Sequence, residues 1–353
     1  KLTTETQPNS TGTGWTSGNG NNDWFDVIFK DFAVNQQYNV GVSGGSANSS
    51  YFIGLGYLDK KGMFRYGNDE YKRYNLRANF STDVTDWMKF NLRTSYARTN
   101  YNTPYEYPGL TGGGLSSYLH NAARSFTGNA LYLPNGYFNP AGSLVALMAY
   151  GGRTISDGDE LQLSGEFVMS PLKGWDITAN YTLFSGNGNS IANGSTIFIP
   201  NPDGSLASTG VTPNSVARGF SKSANHLINL FSSYEKKLNG HNFKILGGYI
   251  RRYNTSLSMN GSNTNLYTDN LPALSLTYGT TPTLTDDIAE YATEGFFGRF
   301  NYSFRDKYLV EFNGRYDATS KFIYNRWAFF PGVSAGYVIS KEKFWDPVQK
   351  YIN

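Results

Sequence analysis

The sequence predicts an all-β chain: a partial antiparallel barrel of the kind that crosses a membrane with strands. Three observations lead there. Apolar and polar residues alternate with a period of two over segments of about 9–11 residues, the length of a tilted membrane strand. The connections between these segments are short and long in turn. Tyr, Trp and Phe crowd the segment ends and make up 16% of the chain, as much as all charged residues together.

Residues 1–35 read as a loop segment. The first 22 or so are Thr/Gly/Asn/Ser-rich, and a short amphipathic piece follows at Asp23–Phe29, with Trp24 and Ile28 one helical turn apart. Lys1 opens inside a polar tract with no signal peptide, so the start is expected to be a cut. From 36 to 353 the period is two. Eleven strands are expected at about 36–44, 50–58, 72–81, 88–98, 160–170, 175–184, 225–235, 242–251, 293–304, 308–317 and 328–339. The clearest is Arg73–Phe80: Tyr74, Leu76, Ala78 and Phe80 share one face, while Arg73, Asn75, Arg77 and Asn79 share the other. A helical period would set Arg77 beside Tyr74 and Phe80 and spoil any apolar stripe. The segments from Met88, Trp175 and Tyr308 repeat the pattern. The strands at 225–235 and 242–251 are less clean, because Leu227, Phe231, Leu246 and Ile250 put apolar groups on the second face.

Short turns are expected near 45–49, 82–87, 171–174, 236–241 and 305–307, and long connections at about 59–71, 99–159, 185–224, 252–292 and 318–327. A soluble sandwich has no reason to sort its connections by parity. An outer-membrane barrel does, with short periplasmic turns and long extracellular loops. Its apolar faces meet lipid and its polar faces line a wet lumen. Eleven is an odd count, and open edge strands would leave unpaired backbone groups in lipid. Strands from outside the chain are therefore expected to close the barrel.

Composition removes other classes. There is no cysteine, hence no disulfide framework. The net charge is +3, and the basic pairs Lys236-Lys237 and Arg251-Arg252 are too short for a nucleic-acid stripe. The longest apolar run, Leu144–Tyr150, is far short of a membrane helix. Gly41-Val42-Ser43-Gly44-Gly45 fits G-x-S-x-G, but a strand follows where a nucleophile elbow needs a helix. Thr111-Gly112-Gly113-Gly114 lacks the Lys-Ser/Thr of a phosphate loop and reads as a loop tip. His120, His226 and His241 lack ligand spacing, and Asp157-Gly158-Asp159-Glu160 reads as a solvated turn before a strand. No catalytic residue, metal site or cofactor is assigned.

Two residue sets are candidates for function. Arg73, Arg77, Arg93, Arg299 and Arg315 are placed on the lumen face, either as a solvated wall or as partners for acidic groups of something that fills the barrel. The loop at 99–159 is long and aromatic, which is the mark of a functional loop. Tyr101, Tyr105, Tyr107 and Tyr118 are expected to bind substrate there by stacking.

Several runs resemble the SusC/RagA family of TonB-dependent outer-membrane transporters. They include Asp23-Trp24-Phe25-Asp26-Val27-Ile28-Phe29, Asn39-Val40-Gly41-Val42-Ser43-Gly44-Gly45-Ser46, Gly56-Tyr57-Leu58-Asp59-Lys60-Lys61-Gly62 and Thr85-Asp86-Trp87-Met88-Lys89. The match is strongest in Gly295-Phe296-Phe297-Gly298-Arg299-Phe300-Asn301-Tyr302, Gly314-Arg315-Tyr316-Asp317 and Asn325-Arg326-Trp327-Ala328-Phe329-Phe330-Pro331-Gly332. The resemblance implies a barrel of about 22 strands with a plugged lumen, a TonB box that engages the TonB complex, and a SusD-like surface lipoprotein. It implies import of a large nutrient, an oligosaccharide first and an oligopeptide second, across the outer membrane; a passive porin or structural barrel is a further alternative. The plug, the TonB box, the first strand and the later strands have no counterpart in this sequence.

Overall fold

The computed structural model describes residues 6–16, 18, 20–110, 115–139, 144–345 and 347. The Thr111–Gly114 tract lies outside them. Eleven strands form one antiparallel sheet in strict sequence order: β1 Asn35–Gly45, β2 Ser49–Lys61, β3 Glu70–Thr85, β4 Met88–Pro104, β5 Gly152–Leu172, β6 Trp175–Pro200, β7 Leu206–Leu238, β8 His241–Thr264, β9 Thr283–Phe304, β10 Tyr308–Thr319 and β11 Trp327–Tyr337. Three short helices accompany them, α1 Trp24–Ile28, α2 Ser116–Arg124 and α3 Val145–Tyr150. Among the described residues no helix is long and apolar enough to cross a membrane.

The short turns are built for tight reversal. Asn239 and Gly240 take positive φ, as the two-residue turn between Leu238 and His241 requires, and so do Arg305 and Asp306 in the three-residue connection 305–307. At Gly174 (φ +82°) a Cβ would meet the Glu235 carbonyl oxygen at 2.3 Å, so only glycine fits. The long connections are shorter than the sequence led us to expect. Residues 185–200 and 206–224 belong to β6 and β7, whose hairpin closes at 201–205. The 252–292 and 99–159 connections likewise shrink to 265–282 and 105–151. The Asp157–Glu160 run is therefore strand, with alternate residues on opposite faces, and not a turn. β5 to β9 run 21 to 33 residues, about two to three times what a membrane crossing needs. Their far ends run beyond the aromatic row, where apolar residues such as Phe220, Met259 and Ile288 are scattered among polar ones and alternation is weak.

The register fixes the faces. Tyr57 pairs with Tyr74, Leu76 with Tyr96, Leu92 with Gly165, and Phe312 with Phe300 and Val333. Tyr74, Leu76, Phe80, Phe90, Leu92, Ile177, Val310 and Phe312 all fall on one face, while Arg77, Asn91 and Asn313 fall on the other. The sheet curls toward the polar face. One cavity of about 880 Å³ touches Asn39 of β1, Asn75 of β3, Glu160 of β5, Asn225 of β7 and Tyr291 of β9. Strands so far apart in a sheet share a cavity only on its concave side.

Among the described residues no layer covers the convex face. Val40 is 72% and Val333 70% exposed, although both are residues that a soluble core would bury. Aromatic rows border this belt at both ends. On the long-loop side Tyr38, Tyr57 and Tyr74 run in file with ring centroids 6.4 and 5.1 Å apart. Phe296, Trp327 and Tyr316 continue the row, 6.2 and 4.7 Å apart. On the short-turn side Phe304, Tyr308 and Tyr337 stack at 6.4 and 5.2 Å. Apolar strands between two aromatic rows are what a bilayer demands of a barrel.

The buried core lies at the long-loop rim, not between sheet faces. Trp24 and Ile28 of α1, Tyr118 and Ala122 of α2, Val145 and Met148 of α3, Phe64, Leu133 and Ile199 pack together. Asp23 caps α1 by accepting from the Phe25 amide at 2.9 Å. The Trp24 indole donates to the Phe126 carbonyl and the Trp15 indole to that of Pro200, both at 3.0 Å. The N-terminal segment is thereby tied to the 105–151 connection and the β6–β7 hairpin.

Candidate functional site

The concave wall carries the chemistry. Alternation along each strand sends every second side chain inward, and the sequence puts Arg, Asn, Ser, Thr and Glu at those positions. The five arginines picked out from sequence all lie on this face, but they do not act alike. Arg93 pairs with Glu166 at 3.3 Å, and the same carboxylate accepts from Asn91 at 3.0 Å. Arg315 grips Asp317 through two 3.0 Å bonds and lies over the Phe297 ring at 5.7 Å. Arg299 is 3.9 Å from Glu311. These three are satisfied by the wall itself. Arg73 bonds Asn75 at 2.7 Å, and Arg77 makes no hydrogen bond or ion pair among the described residues. Arg73 and Arg77 line the same cavity as Glu160, which lies two strands along the wall.

Further along the cavity, Asn225 donates its amide to Asn254 across the β7–β8 pair. The Asn225 oxygen and the Asn254 nitrogen then have no protein partner despite being buried. Such groups are costly unless water or a ligand meets them. Leu227, Phe231, Leu246 and Ile250 also face inward, so the wall is polar with an apolar stretch.

The four tyrosines do not form one platform. Tyr101 belongs to β4, not to a loop, and stands on the concave face beside Tyr71, with ring centroids 6.5 Å apart. Partial burial, with Asp69 and Glu106 nearby, pushes its hydroxyl above the usual range. Tyr105 and Tyr107 are half-buried in the connection that follows. Tyr118 is fully buried in α2, edge-on to Phe64, and its hydroxyl donates to the Tyr105 carbonyl at 2.5 Å. Burial drives that hydroxyl far above the ordinary range. In this arrangement its ring packs the rim core and offers no face to a ligand.

Sequence reasoning missed Arg153 at the start of β5. Its Nε and Nη2 donate to the Asn102 side-chain oxygen at 3.0 and 2.5 Å, and Nη2 also reaches the Asn68 carbonyl. Burial lowers its pKa. It clamps the 62–69 connection to β4. Its partners lie far off in the sequence, so no local pattern announces it. Also unforeseen is the exposed Tyr267–Tyr278 pair, 4.9 Å apart on the 265–282 connection.

Gly41, Ser43 and Gly45 lie in β1, an extended strand paired with β2. Among the described residues there is no group of His, Asp and Glu placed to hold a metal ion.

No protein-family model matches the chain. Among curated proteins, TonB-dependent receptor P26 of Formosa agariphila is 26% identical over 92% of the chain and 32% of its own length. TonB-dependent receptor SusC of Bacteroides thetaiotaomicron is 25% identical over 93% of the chain and 33% of its length. The chain thus spans about a third of the curated relatives it matches. Among solved structures, the RagAB peptide importer in its open-open state superposes with a TM-score of 0.75 at 23% identity, over 94% of this chain and 36% of that one. The resemblance to SusC/RagA-type TonB-dependent receptors therefore holds along nearly the whole chain in sequence and in fold, and the part it covers is eleven strands of their barrel.

Proposed function

We propose that this chain is part of the wall of an outer-membrane importer that takes up a large nutrient, an oligosaccharide. It works with a SusD-like surface lipoprotein and with a plug driven by the TonB complex. The observation that carries the reading is the pairing of an uncovered apolar belt with a concave wall rich in amides, hydroxyls and balanced charge. Such a wall suits passage of a polar, uncharged molecule. Tyr101, Tyr105 and Tyr107 remain the proposed contacts at the long-loop mouth, where a ring that stacks on a sugar contributes about 1 kcal/mol. An oligopeptide is the second reading, favoured by Arg73, Arg77 and Glu160 lining one cavity, which offers opposite charges to peptide termini.

The test is uptake by cells carrying the full-length protein. Labelled oligosaccharide should accumulate, and a protonophore should abolish accumulation. Accumulation of oligopeptide alone moves the assignment to the second reading; equilibration that survives the protonophore indicates a passive pore and sinks energy coupling. Ala at Tyr101, Tyr105 and Tyr107 together should weaken uptake while the lipoprotein still co-purifies. Loss of the lipoprotein would make this region a docking surface, and intact uptake would place the substrate elsewhere.

A further inference from the structure

Arg93, Arg299 and Arg315 are paired with carboxylates of the wall. One row of the concave face is not engaged in this way. Arg77 of β3, Ser95 of β4, Gln162 of β5 and Phe184 of β6 are cross-strand partners in succession, and all four line the cavity of about 880 Å³. Glu160, one concave position farther along β5 and opposite Gly186, lines it too. Among the described residues the side chains of Arg77, Ser95, Glu160 and Gln162 make no hydrogen bond or ion pair. Arg77, Glu160 and Gln162 are exposed. The Phe184 ring is 41% exposed and, among the same residues, has no other ring or cation against it.

The wall beside the ring is low. On the long-loop side the next concave positions of β6 are Gly186 and Gly188, and the Ser223 and Ser221 hydroxyls lie 3.1 and 2.6 Å from where their Cβ atoms would stand. A second cavity, of about 320 Å³, shares Glu160, Gly186, Ser223 and Ser256 with the first and adds Gly188 and Ser258. A floor of glycine and serine thus leads from the long-loop side down to Phe184.

A single exposed ring is ordinary. This one is framed, inside a cavity of ligand-site size, by unengaged groups of every hydrogen-bonding kind. A guanidinium only donates, a carboxylate only accepts, and an amide does both. A pyranose is complementary to that set: its C–H face lies on a flat ring, and the hydroxyls at its edge each donate and accept. The charges of Arg77 and Glu160 cancel, which suits an uncharged ligand. Gln162 sits directly across from Phe184, about 5 Å away at Cβ, and Glu160 on the diagonal, about 7–8 Å away. Arg77 is three strands off, about 14 Å along the sheet, so the row spans more than one sugar unit. We infer that this row is a sugar subsite on the barrel wall. One pyranose lies on Phe184 with its hydroxyls bonded to Gln162 and Glu160, and the next unit extends past Ser95 toward Arg77. The inference rests on the oligosaccharide reading above and adds to it a station on the wall below the mouth.

The experiment titrates detergent-purified full-length protein into fluorescently labelled neutral oligosaccharides, pooled from hydrolysed starch, xylan and mannan, and reads binding by anisotropy. Phe184→Leu keeps the apolar bulk but loses the flat face, and should weaken binding about fivefold. Phe184→Trp keeps a flat face and should bind as the native protein does, with an emission change on binding that the native protein lacks. Glu160→Ala with Gln162→Ala should weaken binding about tenfold. Native-level binding by Phe184→Leu, or equal loss in Phe184→Leu and Phe184→Trp, overturns the inference. A native protein that binds nothing in the pool, or binds oligopeptides in its place, overturns instead the oligosaccharide reading on which it rests.

Discussion

Phe312 and Asn313 are neighbours on β10 that face opposite sides of the sheet, so one substitution tried at both separates lipid from lumen. Phe312 is 49% exposed on the convex face, midway between Tyr308 and Tyr316 of the two aromatic rows. Each row is four residues away, about 13 Å along the strand. A strand tilted by about 45° therefore holds residue 312 roughly 9 Å below either interface. An arginine there can bring its guanidinium only part of the way to water, and should cost about 2–4 kcal/mol. That is a factor of roughly 30 to 1,000 in the folding equilibrium. Asn313 faces the concave side, where its amide donates to Glu311 at 3.2 Å. An arginine at 313 keeps a carboxylate partner in a wet wall and should cost under about 1 kcal/mol. Urea-induced unfolding of the full-length protein in lipid vesicles reads both values. Equal costs, or a larger cost at 313 than at 312, would mean that the face without a covering layer is not the lipid face.

Three further outcomes follow from the rim. Tyr118→Ala should remove the centre of the rim core at about 3–5 kcal/mol and open residues 105–151 to limited proteolysis, whereas Tyr118→Phe loses one hydrogen bond, about 1 kcal/mol, and should leave the proteolysis pattern intact. Arg153→Met should leave the Asn68 carbonyl without its donor and raise amide exchange in residues 62–69 while the strands below stay protected. At the β6–β7 tip, the Ser205 hydroxyl and then its amide hold Asp203 below its ordinary value of 3.8. A depressed folded pKa means that the turn contributes its stability above pH 3.8 and loses it as pH falls through the lowered value. Protection of the Ser205 amide relative to its intrinsic exchange rate should therefore be retained at neutral pH and fall only at strongly acidic pH, and Asp203→Asn should remove that acid dependence.

The parts of the fold legible in the sequence are those where two environments press on one strand. Between Tyr74 and Phe80 lipid dictates even positions and the wet lumen odd ones, so the alternation is forced there. Above the aromatic row that pressure ends. Ser221, Ser223, Ser256 and Ser258 lie together on the concave face, and their strand character comes from ladder bonds to partners far off in the sequence. No periodicity marks such a segment, and β6 and β7 therefore look like a long loop until their register is known. Leu227 and Phe231 blur the pattern for the opposite reason, because the concave wall itself holds apolar groups.

The candidate site separates along the same line. The arginines were legible as a face, since alternation alone puts Arg73 and Arg77 together on one side. Which of them is free was not, because Glu166, Glu311 and Asp317 reach their partners through cross-strand neighbours or along the strand in ways that alternation does not rank. Among the tyrosines a signal existed. Tyr118 and Ala122 are one helical turn apart in Ser116–Arg124, the spacing of a buried helix face, whereas Tyr101 sits in phase with Arg93 and Ala97 on the β4 wall. Sequence distance had grouped the two; periodicity separates them. If stacking on substrate does occur at this mouth, it must therefore start from residues in phase with the wall, and Tyr71 beside Tyr101 is placed to take part in it, while Tyr118 contributes by holding the rim that shapes the opening.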